Sequence, residues 1–448
     1  MIFRMMYETT VLIVGAGPTG LTLAIDLARR KISFRLIEAA ATPFEGSRGK
    51  GLQPRTLEIF DDLRVIDAIL ASGSRYPKFR THFGPFSLRA GSLATFKLPT
   101  ESAPYPNLLM VPQARTEAIL RERLGALGGE VEFGKALVGF TQNEHGMDAA
   151  LSNGETLRSD FLVGCDGGHS TVRKTLGLQF QGEAINENPM LVADVEVDGL
   201  DGRDWHLWPF SRHGLMALCP LPNTSLFQLT WKAKTVASDI EGAVSEVTGH
   251  RVERVAWSSS YQPAVRMVDR YRVGRVFLAG DAAHVHPPAG GQGLNTGVQD
   301  AYNLGWKLAH VVRGGPDWLL DTYEAERLPI AAAVLGLSKR LYQTRSIKRS
   351  DATNQLALHY RTSPLSSGVT LGSLHPGDRM PDARLDDGKR LFDHLRGSHA
   401  TELVTSEGVR ILVRPDGYIA HIGSTHFAGY AGEPTREIRG AIPHFSRR

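Results

Sequence analysis

The chain has 448 residues, 42% of them hydrophobic and 22% charged, with a formal net charge of +4, which predicts two or three packed units with a sizeable core and excludes extensive disorder. It has no run of five or six basic residues, which argues against nucleic acid as a partner and suits an anionic small molecule or dinucleotide. The only cysteines, Cys165 and Cys219, exclude a disulfide framework and a CxxC redox or zinc site, and fit a reducing, cytoplasmic setting.

From the N-terminus, TVLIV at 10–14 is a short apolar, β-branched run that stops at a glycine, the pattern of a buried parallel strand. The apolar stretch continues to Ala28, but Gly15, Gly17, Pro18, Gly20 and Asp26 interrupt it, so neither an export signal nor a membrane span is expected. A helix is predicted over 21–30, with Arg29, Arg30 and Lys31 in its last turn, and FRLIE at 34–38 reads as the next strand of a βαβ unit. Pro54 opens a second periodic segment, with Leu57, Phe60, Leu63, Ile66 and Leu70 on one face and Gly73 beyond its end, which predicts one helix. Residues 75–110 show no clear period. A helix is expected over 114–127, followed by antiparallel strands at 131–141 and 147–163 with a tight turn at Asn153-Gly154.

Residues 190–262 alternate like strands and hold four of the six tryptophans, so a separate sheet is expected there. RVFLAG at 275–280 is again a buried strand, with two helices after it at about 293–313 and 317–345. From Gly372 the chain is rich in Gly, Pro, Asp and His, with RILVR as one clear strand.

Three stretches carry chemistry. GAGPTG at 15–20 lies between a strand and a helix, and Glu38 ends the following strand; glycines at these places let backbone approach a pyrophosphate at a helix N-terminus, and the acid suits ribose hydroxyls. The bland alternative is a tight turn with Glu38 on the surface. The second, DFLVGCDGGHSTVRKTLG at 160–177, is a strand ending at Asp166 and then a short helix near Ser170, which a helix cap alone could also explain. The third is GDAAHVHPPAGGQGLNTG at 280–297, where Asp281 follows a strand and a long helix starts near Gly293. His284 and His286 raise the question of a metal, but three or four ligands are needed and the nearby candidates end at Asp281, so no metal is expected.

Together and in this order, these stretches closely resemble the group A flavoprotein aromatic hydroxylases, which share the para-hydroxybenzoate hydroxylase fold, and within them the branch acting on phenolic acids and polyketides. SRGKGLQPRTLEIF at 47–60, VPQARTEAIL at 111–120 and DAYNLGWKLA from 300 also match, so the resemblance covers about residues 8–345. It implies an α/β fold: a Rossmann-like FAD-binding βαβ domain, residues 8–178 and 265–345, interleaved with a β-sheet substrate domain, residues 179–264. A truncated thioredoxin-like segment without CxxC, residues 372–448, is expected to pack on the body or to be partly mobile.

The resemblance further implies tightly and noncovalently bound FAD, NADPH or NADH as cosubstrate, and O2-dependent hydroxylation of an aromatic small molecule through a flavin C4a-hydroperoxide. The GAGPTG residues Gly15, Ala16, Gly17, Pro18, Thr19 and Gly20 are then cofactor-binding, the glycines at the pyrophosphate. Glu38 falls to the adenosine ribose, Arg48 to a phosphate, Gln113 to the ribityl region, Asp166 to the motif linked with both FAD and NADPH, and Asp281 to the ribityl chain. Pro288 lies against the isoalloxazine, and Gly291, Gln292, Gly293, Leu294 and Asn295 meet its pyrimidine edge. Such a reaction needs no side-chain nucleophile, and His286 is the candidate catalytic residue. Gly49-Lys50 departs from the small and apolar residues usual after that arginine. Alternative readings are a flavin-dependent dehydrogenase or reductase of the same fold, or a flavin-binding protein without catalysis.

Overall fold

The computed structural model describes residues 6–185, 189–233, 239–287, 290–344, 351–424 and 435–439. Strand Met6–Val14 lies inside a mainly parallel sheet, between Phe34–Glu38 and Thr156–Gly164; Thr156–Gly164 in turn pairs in parallel with Val276–Leu278. Val11, Leu12 and Ile13 are all fully buried, so these strands read as continuous apolar runs rather than alternating ones. Helix Pro18–Arg29 packs against helices Gln113–Ala126 and Gly293–Val312. Val14 is level with both Ile37 and Gly164, and Gly164 with Leu278. All four strands therefore end on one edge, and the residues just beyond them, Gly15, Glu38, Asp166 and Asp281, come together where open α/β sheets bind ligands.

A second, seven-stranded sheet runs in the order Val252–Tyr261, Met190–Val197, Leu226–Ala233, Gly214–Pro220, Asp204–Ser211, Lys78–Phe83, Phe86–Arg89. Its last two strands come from the aperiodic 75–110 region, so the sheet reaches outside 179–264: Lys78–Phe83 pairs in parallel with Asp204–Ser211, setting Phe79 beside Trp205. No alternation announces these strands, since most of their residues are partly or fully exposed. Trp208 and Trp231 fill the core of this sheet with Met216, Leu218 and Leu229. Trp257 instead packs edge-on against Phe44 and covers Gly46 of the first domain.

The single helix expected from Pro54 is two, Pro54–Asp62 and Ile66–Ser72. Arg64 takes a left-handed φ of 62° between them, with the Val65 N–H bonded back to the Phe60 carbonyl. Apolar spacings of three and four residues suit a broken helix as well as a continuous one.

The C-terminal region forms a five-stranded sheet, ordered Ser367–Gly368, Ile419–Gly423, Arg410–Val413, Ala400–Val404, Thr435–Arg439, with one short helix, Leu391–Leu395, and its own core around Leu391, Leu403, Ile411 and Ile419. It is firmly joined to the body. Arg414 bridges to Glu326 on helix Trp318–Gln343 at 2.6 Å, and Glu326 also receives Lys307 of helix Gly293–Val312 at 2.8 Å, all with side chains 0% exposed. Burial pushes the Glu326 carboxyl up, but Arg414 and Lys307 outweigh it and hold it far below the usual range.

Candidate functional site

The GAGPTG turn is built by packing at two of its glycines and left open at the third. Gly15 has φ 102°, and a Cβ there would lie 2.4 Å from the Cys165 carbonyl oxygen; a Cβ on Gly20 would lie 2.0 Å from the Gly15 carbonyl oxygen. Gly17 has an ordinary φ of −71° and nothing within 4 Å of its would-be Cβ. This is the geometry expected if the second glycine is bare so that a ligand, not protein, can approach the backbone at the N-terminus of helix Pro18–Arg29. Pro18 is the first residue of that helix, and the Thr19 hydroxyl sits within 2.6 Å of would-be Cβ atoms on Gly280 and Gly297, joining the turn to the 280–297 loop.

Beside the turn lies a cleft of about 500 Å³ whose walls include Ala16, Gly17, Glu38, Arg48, Gln113 and Glu117. Glu38 accepts from the Ala16 amide at 2.8 Å and from the Ala40 amide at 2.9 Å, which fixes its carboxylate at the rim with lone pairs to spare. The Arg48 guanidinium reaches Ser259 at 3.2 Å. Its loop is held by the preceding residue: buried Asp194 accepts from both the backbone amide and the hydroxyl of Ser47, and Gln228 donates to the Ser47 carbonyl at 2.6 Å. Gln113 accepts from the Gly49 amide at 3.0 Å and donates to Glu117 at 2.9 Å. Glu117 carries no motif signal beyond its position one turn after Gln113; burial raises its pKa to about 7, against the pull of Gln113 and Arg121.

In the third stretch, Asp281 lies in a 3-10 turn, Gly280–Ala282, and its carboxylate and the His286 ring each come within 3.8 Å of a would-be Cβ on Gly293, at the start of the long helix. Desolvation by the surrounding protein raises the Asp281 carboxyl above its ordinary value, although the residue keeps an exposed surface. Asn295 and Gln292 are buried with their side chains engaged: Asn295 accepts from the Gln53 amide and donates to the Gly51 and Gly291 carbonyls at 2.8 Å, and Gln292 donates to Gly290 and Thr353 carbonyls. What Gly291–Asn295 offers a ligand is therefore backbone N–H at a helix N-terminus. Leu294 closes against Gly49. Pro288 lies outside the described residues.

The two histidines bond to each other instead of converging on a common centre. His284 Nε2 is 2.6 Å from Asp300, and His284 Nδ1 is 3.0 Å from His286 Nε2. Burial opposes the Asp300 charge, but Arg327 and His284 prevail and keep it ionised. With Asp300 accepting from His284 Nε2–H, His284 Nδ1 accepts from His286 Nε2–H, and His286 Nδ1 is left as a bare acceptor. That atom is buried and makes no hydrogen bond among the described residues. Burial drives the His286 pKa well down, so the ring is neutral. Asp166 caps the short helix Thr171–Thr175, accepting from Ser170 Oγ at 2.5 Å and Thr171 N at 2.6 Å, with its Cα against Gly15.

A bare glycine at a helix N-terminus, a fixed acid at ribose distance and a second helix N-terminus facing Asp281 together fit a flavin dinucleotide. Residues 8–338 match the family described as FAD binding domain. The chain is 44% identical to a flavin-dependent monooxygenase of Mycobacteroides abscessus, covering 92% of this chain and 96% of that one. It is 38% identical to 6-methylpretetramide 4-monooxygenase of Streptomyces rimosus, over 82% and 73% of the two chains. The solved structure of an anhydrotetracycline hydroxylase from Streptomyces rimosus superposes with a TM-score of 0.72 at 31% identity, covering 93% and 96%. The chain belongs to the FAD-binding family of flavin-dependent monooxygenases. It is an FAD-dependent enzyme with the para-hydroxybenzoate hydroxylase type of fold. Among the described residues no helix is long and apolar enough to cross a membrane.

Proposed function

We propose that this monooxygenase hydroxylates a phenolic or polycyclic aromatic substrate, taking electrons from NAD(P)H and the inserted oxygen atom from O2, with FAD held noncovalently in the cleft beside Gly17. The observation that carries this is the 44% identity to a flavin-dependent monooxygenase over nearly the full length of both chains, together with the assembly of Gly17, Glu38 and Asp281 on one sheet edge. Relatives named for 6-methylpretetramide and anhydrotetracycline support a polycyclic substrate.

The bound flavin supplies the two-electron chemistry and the activation of dioxygen. The chain's own residues position and enclose it. Gly15–Gly20 and the positive end of helix Pro18–Arg29 take the pyrophosphate, Arg48 neutralises a phosphate, and Glu38 accepts from ribose hydroxyls. Gln113 and Asp281 face the ribityl chain. Amides at Gly291–Asn295 place positive potential where the ring carries negative charge. His286 offers its bare Nδ1 as a hydrogen-bond acceptor, oriented through His284 by Asp300.

The purified holoenzyme should oxidise NAD(P)H faster with particular phenols or polyketide-like phenols and yield matched hydroxylated product, labelled when 18O2 is supplied. Retained FAD with no ligand-stimulated NAD(P)H oxidation across such a panel would overturn the assignment. Unchanged hydroxylation by His286→Ala with several good substrates would remove His286 from the chemistry.

A further inference from the structure

Lys50 makes no ion pair among the described residues. Its side chain is 9% exposed, and among the described residues Nζ makes no hydrogen bond. It stands 4.8 Å from the ring centre of Trp205, whose indole Nε1 is likewise buried and unbonded. The polar groups around the amine are Cys219 and Asp194. Burial keeps the Cys219 thiol protonated, a weak and uncharged partner. Asp194 is occupied by the Ser47 amide and hydroxyl and forms no ion pair with Lys50.

Two buried donors with no acceptor are costly, and a desolvated ammonium more so. An anionic oxygen would satisfy both. The position suits a substrate. Gly49 rests on Gln113 and Leu294, and the Gly51 carbonyl accepts from Asn295, so the Lys50 backbone runs beside the helix start assigned to the flavin ring. Its side chain extends the other way, toward the second sheet, where Trp205 is flanked by Tyr76 and Phe79 at centroid distances of 5.8 and 5.2 Å. A cation and an N–H at the edge of an aromatic cluster match an aromatic ring bearing an ionised oxygen.

We propose that Lys50, with the Trp205 indole N–H, is the specificity-determining anchor for the substrate, taking a phenolate or enolate oxygen and so selecting aromatic substrates acidic enough to carry one at neutral pH. This deepens the aromatic-hydroxylase reading and rests on it. Burial lowers the Lys50 pKa in the ligand-free protein, and a bound anion opposes that shift.

The test uses FAD-loaded enzyme and a matched pair of probes, 2,4,6-trichlorophenol and its methyl ether, with binding read from the perturbation of flavin absorbance. Wild type should bind the phenol about tenfold or more tighter than the ether. Lys50→Met should abolish that preference by weakening the phenol alone, Lys50→Arg should retain part of it, and Trp205→Phe, which keeps an aromatic though smaller ring and removes the N–H, should reduce it by about threefold. Equal losses for phenol and ether in both Lys50→Met and Trp205→Phe would show packing instead of recognition and overturn the proposal. Wild type that binds phenol and ether alike overturns the anchor and leaves the aromatic-substrate reading standing, whereas wild type that binds neither overturns both.

Discussion

At the scale of single residues, the three glycines of GAGPTG separate into two closed in by protein, Gly15 and Gly20, and one left open, Gly17. Gly20→Ala drives a Cβ into the Gly15 carbonyl and should destabilise the apoprotein by about 3 kcal/mol, seen as a lower denaturant midpoint. Gly17→Ala should leave that midpoint nearly unchanged yet weaken FAD binding on the order of tenfold, about 1.4 kcal/mol, in a fluorescence titration. Glu117 gives a pH prediction. Its folded pKa of about 7 lies above the ordinary glutamate value of 4.5, so the folded apoprotein disfavours the ionised form, and stability from this group is lost as pH rises from about 4.5 through 7. Glu117→Gln should match wild type near pH 4 and exceed it by roughly 2–3 kcal/mol at pH 8 in chemical denaturation. The places of Glu38 and Asp281 in the fold were legible because the first ends, and the second follows, a strand read from a local apolar run. Glu117 was not, because helical position alone does not show that a carboxylate faces a cleft.

At the scale of elements, the break at Arg64 shows what periodicity conceals. A left-handed arginine costs energy that glycine avoids, so Arg64→Gly should raise stability by about 0.5–1 kcal/mol, measured as an increased denaturant midpoint. The βαβ unit and the helix after Asp281 could be read from sequence because their hydrogen bonds join near neighbours. The groups that hold the site loops could not. Ser47 meets Asp194 across 147 residues and Gln292 meets Gln355 across 63, and neither pair leaves a local pattern. The same holds for strand Lys78–Phe83, whose partner Asp204–Ser211 lies more than a hundred residues along the chain; Phe86–Arg89 pairs with it as a hairpin, and the exposed residues of neither strand alternate.

For the whole molecule, the C-terminal sheet and the strap before it belong to the catalytic body. Gln355 bonds to Gln292 at 2.7 Å and to Gln299 at 2.6 Å, and Tyr360 bonds to Arg327, which holds Asp300. Arg414→Met would leave Glu326 and Asp416 short of a buried cation and should cost about 3–5 kcal/mol in equilibrium unfolding, with FAD retention on gel filtration falling in parallel. The expectation of a truncated thioredoxin-like segment, packed on the body or partly mobile, came from the resemblance and could not show how the segment is attached. Its attachment is carried by charged residues that look like solvated surface until they are seen paired in the interior. Synthesis proceeds from the N-terminus, so GAGPTG leaves the ribosome long before Gln355 or Arg414. The nascent chain can build its GAGPTG turn early, but the brace that Gln355 gives Gln292 forms only after residue 355 has been made, and a chain broken off before that point has the turn without this support for the loop at Gly291–Asn295.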